Sequence, residues 1–212
     1  MLKLIAADHL GYRGESLIIF LGDYVDRGPC ARDVLDILVR GQRDHMKFFC
    51  LRGNHEDCVR RFFTDHSVAA GWFHYGGLQT LRSYGVQIHS PTQDFEDIFY
   101  LRRVFQEAMP EAHREFIFNL PYTARYGDYV FVHAGIHPER SLEEQDPHHY
   151  MWMREPFLSS SAELGFMVVH GHSIRLQPEV RVNRIGIDTG AYVTGKLTCL
   201  VLQDEDQRFL TT

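Results

Sequence analysis

The chain has 212 residues, of which 44% are hydrophobic, 13% aromatic and 24% charged, proportions that are typical of a globular protein. This composition excludes disordered, collagen-like and coiled-coil proteins, and no apolar run reaches the roughly 18 residues of a membrane-spanning helix. The net charge of -6 argues against a general nucleic-acid binder, for which a basic excess is typical. We therefore expect no nucleic-acid partner and no membrane partner.

Short runs rich in Val, Ile and Phe alternate along the chain with helical patterns, which predicts an α/β fold. The predicted strands are residues 17–21, 48–51, 129–132, 166–169, 184–187 and 197–202. The predicted helices are residues 31–39, 94–108 and 111–120, and the last two end before Pro110 and Pro121. No internal repeat or long linker divides the chain, so we expect a single domain over residues 1–212.

The four cysteines form neither a CxxC pair nor a zinc-finger spacing. Cys50 and Cys199 lie in strand-like runs, which predicts buried free thiols in a reducing compartment. Residues 1–12 contain too short an apolar stretch for a signal peptide. We therefore expect a cytoplasmic protein, and no oligomeric state follows from the sequence.

Polar motifs follow five of the predicted strands. They are GDYVDRG at 22–28, RGNHE at 52–56, HAG at 133–135, HGH at 170–172 and DTG at 188–190. Because ligands of α/β sheets bind at the carboxyl ends of the strands, we expect these side chains to share one edge.

The residue types in these motifs form a chemically consistent set. Asp, Asn and His without Cys suit Mn²⁺, Fe or Zn²⁺ in a catalytic rather than a structural site. Arg27 and Arg52 lie beside them, and a guanidinium group binds phosphate oxygens in pairs. This combination indicates metal-assisted hydrolysis of a phosphoester.

The motifs, in their order along the chain, resemble those of the phosphoprotein phosphatase group of metallophosphoesterases, and more narrowly its small bacterial and phage members. The matching segments are GDYVDRGP (22–29), LRGNHE (51–56), FVHAGI (131–136), WMR (152–154), VVHGHS (168–173) and IDTGA (187–191). The resemblance implies a calcineurin-like sandwich of two mixed β-sheets flanked by helices.

The resemblance also implies a two-metal site. Asp23 is expected to bridge two divalent ions, and Asn54, His133 and His172 are expected to bind the second ion. Mn²⁺ is the favoured metal, with Fe or Zn²⁺ as alternatives.

Five further residues receive roles from the resemblance. Arg27, Arg52 and Arg154 are expected to bind the phosphate oxygens, while a hydroxide that bridges the metals attacks phosphorus. His55 is expected to be the general acid, oriented by Asp26.

One motif of this family, GDxHG, precedes the segments above and does not occur in this sequence. Asp8 and His9 are adjacent rather than separated by one residue, so we do not assign them as its ligands. We therefore expect the chain to be shorter at its amino terminus than the family, with the first strand missing and the first metal site incomplete.

The resemblance favours hydrolysis of phosphoserine or phosphothreonine in a protein. Two alternatives stay open: a symmetrical dinucleoside tetraphosphate hydrolase, and a truncated, non-catalytic form that binds metal or phosphate. The aromatic residues Trp72, Phe73 and Tyr75, with Gly76-Gly77, are expected to form a buried cap over the helices rather than a substrate platform. His170 is expected to pack or to support the motif around His172.

Overall fold

A computed structural model of the chain describes residues 1–12, 14–41, 46–88 and 95–212. The chain forms two compact units. The first unit comprises Met1–Leu21, Gln42–Leu51 and Tyr122–Thr212, and the second comprises Gly22–Gly41 and Arg52–Pro121.

The helices and strands of the described residues are, in chain order, α1 (Leu2–Asp8), β1 (Ser16–Phe20), α2 (Ala31–Arg40), β2 (Met46–Cys50), α3 (Asn54–Phe62), α4 (Ala69–His74), α5 (Gly77–Ser83), α6 (Phe95–Ala108), α7 (Glu111–Asn119), β3 (Thr123–Tyr126), β4 (Tyr129–Val132), α8 (Pro147–Trp152), β5 (Met167–His170), β6 (Glu179–Val180), β7 (Arg184–Gly186), α9 (Ala191–Thr194), β8 (Thr198–Gln203) and β9 (Asp206–Thr211). Short 3₁₀ turns cover His66–Val68 and Leu142–Glu144.

The strands of the described residues all lie in the first unit. A mixed five-stranded sheet has the order β3-β4-β5-β7-β6, with β4, β5 and β7 parallel. β1 and β2 form a parallel pair, and β8 and β9 form an antiparallel hairpin. β4 and β5 are nearly continuous apolar runs, the pattern that is typical of strands covered on both faces.

Two apolar clusters form the core of the first unit. One joins Leu51, Phe131, Val169 and Ile185, and partly buried residues of β1 and β8 pack against it. The other contains Val130, Val132 and Val168 of the same sheet together with Phe157 from the segment after α8. This packed core therefore supports the carboxyl ends of β4 and β5, where the HAG and HGH motifs lie.

The second unit is helical within its described residues and is built around aromatic side chains. Phe105 of α6 is buried and packs against Phe62, Trp72 and Tyr84 at ring-centroid distances of 5.4 to 6.5 Å. Pro110 and Pro121 bracket α7, as the sequence predicts. This core holds α3, whose first turn contains Asn54, His55 and Glu56 of the RGNHE motif.

The predicted strands and helices are found within one or two residues of their expected bounds. The start of the predicted helix at residue 94 lies outside the described residues. Strands β3, β6 and β9 were not predicted. Cys50 and Cys199 are free thiols but only half-buried, so the prediction that they are buried is wrong. Across the described ranges, no helix is long and apolar enough to cross a bilayer.

Candidate active site

The GDYVDRG motif forms a strained turn at the start of the second unit. Asp23, Asp26 and Arg27 have φ values of 60°, 70° and 61°, in the left-handed region that non-glycine residues rarely adopt. Such strain persists only where surrounding contacts hold the backbone.

The buried carboxylate of Glu56 makes many of the contacts that hold this backbone in place. Its oxygens accept hydrogen bonds from the backbone N–H groups of Asp23 (2.9 Å), Tyr24 (2.7 Å) and Val25 (3.3 Å). The N–H of Gly53 donates to the same side chain at 2.9 Å. Glu56 thus ties the Asp23 turn to the beginning of α3.

Asn54 and His55 occupy the first turn of α3 and are buried. The Nδ1 atom of His55 lies 2.6 Å from Oδ2 of Asp26, and its Nε2 atom lies 3.9 Å from Oδ2 of Asp23. Because a carboxylate on Nδ1 fixes the ring and its tautomer, Nε2 is the nitrogen available for proton transfer.

The environment of His55 favours its protonated form. Burial is the largest influence and lowers the pKa of His55. The hydrogen bond to Asp26 and the nearby charges of Asp23, Asp26 and Glu56 outweigh burial and raise the pKa from 6.5 to about 9. His55 therefore carries a proton at neutral pH in the metal-free chain.

Arg27 and Arg52 differ in their surroundings. Arg27 is exposed on the strained turn. Arg52 is buried, and one terminal guanidinium nitrogen donates to the carbonyl oxygens of Phe118 (2.8 Å) and Ile117 (3.4 Å) at the end of α7. The helix end therefore holds Arg52 in a defined position.

In the first unit, His133 and His172 face each other. Nδ1 of His133 lies 2.8 Å from the carbonyl oxygen of Leu21, so Nδ1 donates to that oxygen and Nε2 is the nitrogen that can face a metal. That Nε2 lies 3.1 Å from Nδ1 of His172. His172 has a φ of 61° and its ring meets the indole of Trp152 edge to face at 6.1 Å.

These donor groups fit a divalent metal. A neutral imidazole whose other nitrogen donates to a carbonyl oxygen is the usual form of a histidine ligand. In the first unit, Nδ1 of His133 donates to a carbonyl oxygen in this way. In the second unit, Asp23 and Asn54 carry oxygen donors. Nitrogen and oxygen donors of these types are those that catalytic divalent metals bind.

Three other motif residues of the first unit differ in their surroundings. Arg154 is exposed and follows α8, whose Tyr150 carbonyl accepts from Ala134 of the HAG turn at 2.7 Å. His170 is buried beside Arg184. Asp188 accepts from the N–H of Gly190 at 2.8 Å, a turn contact.

Three buried residues of the second unit were not predicted from the sequence to take part in the site: Glu56, Trp72 and Thr80. Glu56 is the third residue of α3, where a Glu side chain commonly accepts a hydrogen bond from the backbone N–H that precedes the helix. The sequence could therefore have predicted this contact. The contacts of Trp72 and Thr80 with Asp26 join residues 46 and 54 positions apart, which one sequence does not reveal. Trp72 is buried, but Phe73 is half-buried and Tyr75 is 39% exposed, so the prediction of a buried aromatic cap is wrong for Tyr75.

A family model described as calcineurin-like phosphoesterase matches residues 2–197. A solved protein provisionally assigned as a diadenosine tetraphosphatase is similar with a TM-score of 0.67 and 19% identity, covering 99% of this chain and 86% of that one. A metallophosphoesterase from Sphaerobacter thermophilus is similar with a TM-score of 0.53 and 16% identity, covering 99% and 81%. These likenesses confirm the predicted fold class.

Proposed function

Since the chain belongs to the calcineurin-like phosphoesterase family, we propose that it is a metal-dependent phosphomonoesterase in which His55 is the general acid. The family hydrolyses phosphoesters and generally uses a dinuclear divalent metal site. The observation that carries the proposal is the buried His55–Asp26 pair, with 2.6 Å between Nδ1 and Oδ2.

Asp23, Asn54, His133 and His172 are the proposed metal ligands. When bound, the divalent ions polarise the phosphoryl group and lower the pKa of water. The support from this chain is the donor chemistry of the four side chains and the metal-ready tautomer of His133. Mn²⁺ remains the proposed metal.

The protein's own groups bind the phosphate and move one proton. Arg27, Arg52 and Arg154 are proposed to donate to the phosphate oxygens, where paired guanidinium N–H groups stabilise developing negative charge. His55 gives its Nε2 proton to the departing alkoxide oxygen while Asp26 stabilises the imidazolium. A general acid of this kind accelerates a reaction by roughly 10²–10⁴-fold.

The proposed substrate is a phosphoserine or phosphothreonine side chain, because the motif set resembles that of phosphoprotein phosphatases. The second candidate is a symmetrical dinucleoside tetraphosphate, which the assignment of one structural neighbour favours. Both substrates use the same site.

The experiment compares phosphate release from phenyl phosphate and a phosphothreonine peptide with cleavage of diadenosine tetraphosphate, all with Mn²⁺. We expect hydrolysis of the aryl ester and a higher kcat/KM for the peptide. A higher kcat/KM for the dinucleotide selects the second candidate. Absence of hydrolysis of all three substrates refutes the proposed function.

A further inference from the structure

Two residues of the segment from Trp72 to Thr80 contact Asp26, the carboxylate that pairs with His55. Trp72 and Thr80 are 1% and 0% exposed, and both donate hydrogen bonds to the carboxylate of Asp26. The side chain of Asp26 is itself fully buried. A buried carboxylate is costly unless hydrogen bonds compensate it, so these donors bear directly on the state of Asp26.

The contacts hold both oxygens of Asp26. The hydroxyl of Thr80 donates to Oδ1 at 2.5 Å and accepts from the N–H of Asp26 at 2.8 Å. The indole N–H of Trp72 lies 3.1 Å from Oδ1 and 2.9 Å from Oδ2. The carboxylate plane is therefore fixed, with Oδ2 directed at Nδ1 of His55.

Two glycines allow this close approach. A Cβ on Gly77 would lie 2.5 Å from the ring of Trp72, and a Cβ on Gly76 would lie 2.6 Å from the backbone nitrogen of Arg27. Gly76 also has a φ of 106°, which favours glycine. The segment is thus shaped to fit the strained turn at Asp26 and Arg27.

We propose that Trp72 and Thr80 are positioning residues for proton donation by His55. They hold the carboxylate of Asp26 in the orientation that keeps the imidazole aimed through Nε2. This inference rests on the proposed function of His55. A purely structural role would weaken the fold, but it would not make the effect of a substitution depend on the substrate's leaving group.

The test uses Thr80→Val, which removes the hydroxyl at nearly constant shape, and Thr80→Ser, which retains it. Thr64→Val, at an exposed threonine of the same unit, is the matched control. Each variant is assayed with phenyl phosphate, whose leaving group needs a proton, and with 2,4-dinitrophenyl phosphate, whose leaving group does not.

For Thr80→Val we expect kcat/KM to fall roughly 10- to 100-fold on phenyl phosphate and to change little on the dinitrophenyl ester. Thr80→Ser should restore most of the loss, and Thr64→Val should match the wild type. Equal losses on both substrates, or no loss on phenyl phosphate, overturn the inference. If Thr80→Val does not fold, Trp72→Phe, which removes the indole N–H donor together with one ring of the side chain, carries the same test, because a loss of packing alone would affect both esters.

A second readout does not depend on turnover. In the metal-free chain, the Nδ1–H proton of His55 should give a downfield NMR resonance, which moves in Thr80→Val and stays in Thr64→Val. An unmoved resonance in Thr80→Val overturns the inference. If the wild type cleaves neither ester with Mn²⁺, the proposed function fails, and this resonance alone decides whether Thr80 positions Asp26 and His55.

Discussion

At the scale of single residues, backbone strain coincides with the predicted site. Five described non-glycine residues have positive φ, and four of them, Asp23, Asp26, Arg27 and His172, were named from motifs; the fifth is Asp204 in the β8–β9 turn. Because each such conformation costs about 1–3 kcal/mol, its concentration in these motifs indicates a functional constraint. This backbone signal is independent of side-chain chemistry.

The role of His55 gives the first prediction. His55→Asn should still bind Mn²⁺ but should lower kcat for phenyl phosphate by about 10²-fold or more, since no proton reaches the leaving oxygen. The measurement is steady-state phosphate release, alongside the metal content of the same sample. An unchanged kcat would contradict the general-acid assignment.

The second prediction concerns a proposed metal ligand. His133→Ala should weaken Mn²⁺ binding by at least roughly 10-fold, the scale on which even the outer partners of metal sites act. Equilibrium dialysis with metal analysis measures the affinity. His66→Ala, at a half-buried histidine that packs against Phe95 and Phe99, is the control and should bind as the wild type does. Equal affinities would remove His133 from the ligand set.

At the scale of elements, β5 ends in a buried polar cluster. His170 is 1% exposed, and its Nε2 lies 3.3 Å from the guanidinium of Arg184, which pairs with Glu179 at 2.7 Å. Burial, with a smaller contribution from Arg184, lowers the pKa of His170 from 6.5 to about 4. His170 is therefore neutral in the folded chain and anchors the strand that leads to His172.

A pH dependence of stability follows. Since the folded pKa of His170 lies below its unfolded value, its contribution is complete above pH 6.5 and is lost as the pH falls from 6.5 to 4. The expected loss between pH 7 and pH 5 is about 2 kcal/mol. Urea unfolding in a chelator should show a correspondingly smaller loss for His170→Gln. If both proteins lose the same unfolding free energy, His170 is not the group responsible.

The strands differ in how clearly the sequence predicts them. The apolar runs predicted β4 and β5 because buried parallel strands leave an uninterrupted pattern. β6 has only two residues, and β9 alternates exposed and half-buried residues beside an acidic turn, so neither gives a comparable signal. The motifs identified Asp26 and His55, whereas Trp72 and Thr80 depend on the packing of α4 and α5.

At the scale of the whole molecule, the chain is divided into a sheet-bearing unit and a helical unit. Two boundaries between them fall beside motifs, at Leu21–Gly22 and at Leu51–Arg52. The segments that carry Asp23 and Asn54 thus begin where the chain leaves a strand of the first unit. The single-domain prediction for residues 1–212 remains a prediction.

The most direct test of metal-dependent hydrolysis is a titration of the chelator-treated chain with Mn²⁺, following phosphate release from phenyl phosphate and bound metal in the same samples. We predict no release without metal and a rate that rises with bound Mn²⁺ to saturation. A rate that is the same with and without metal, or no hydrolysis at saturating Mn²⁺, would contradict the account.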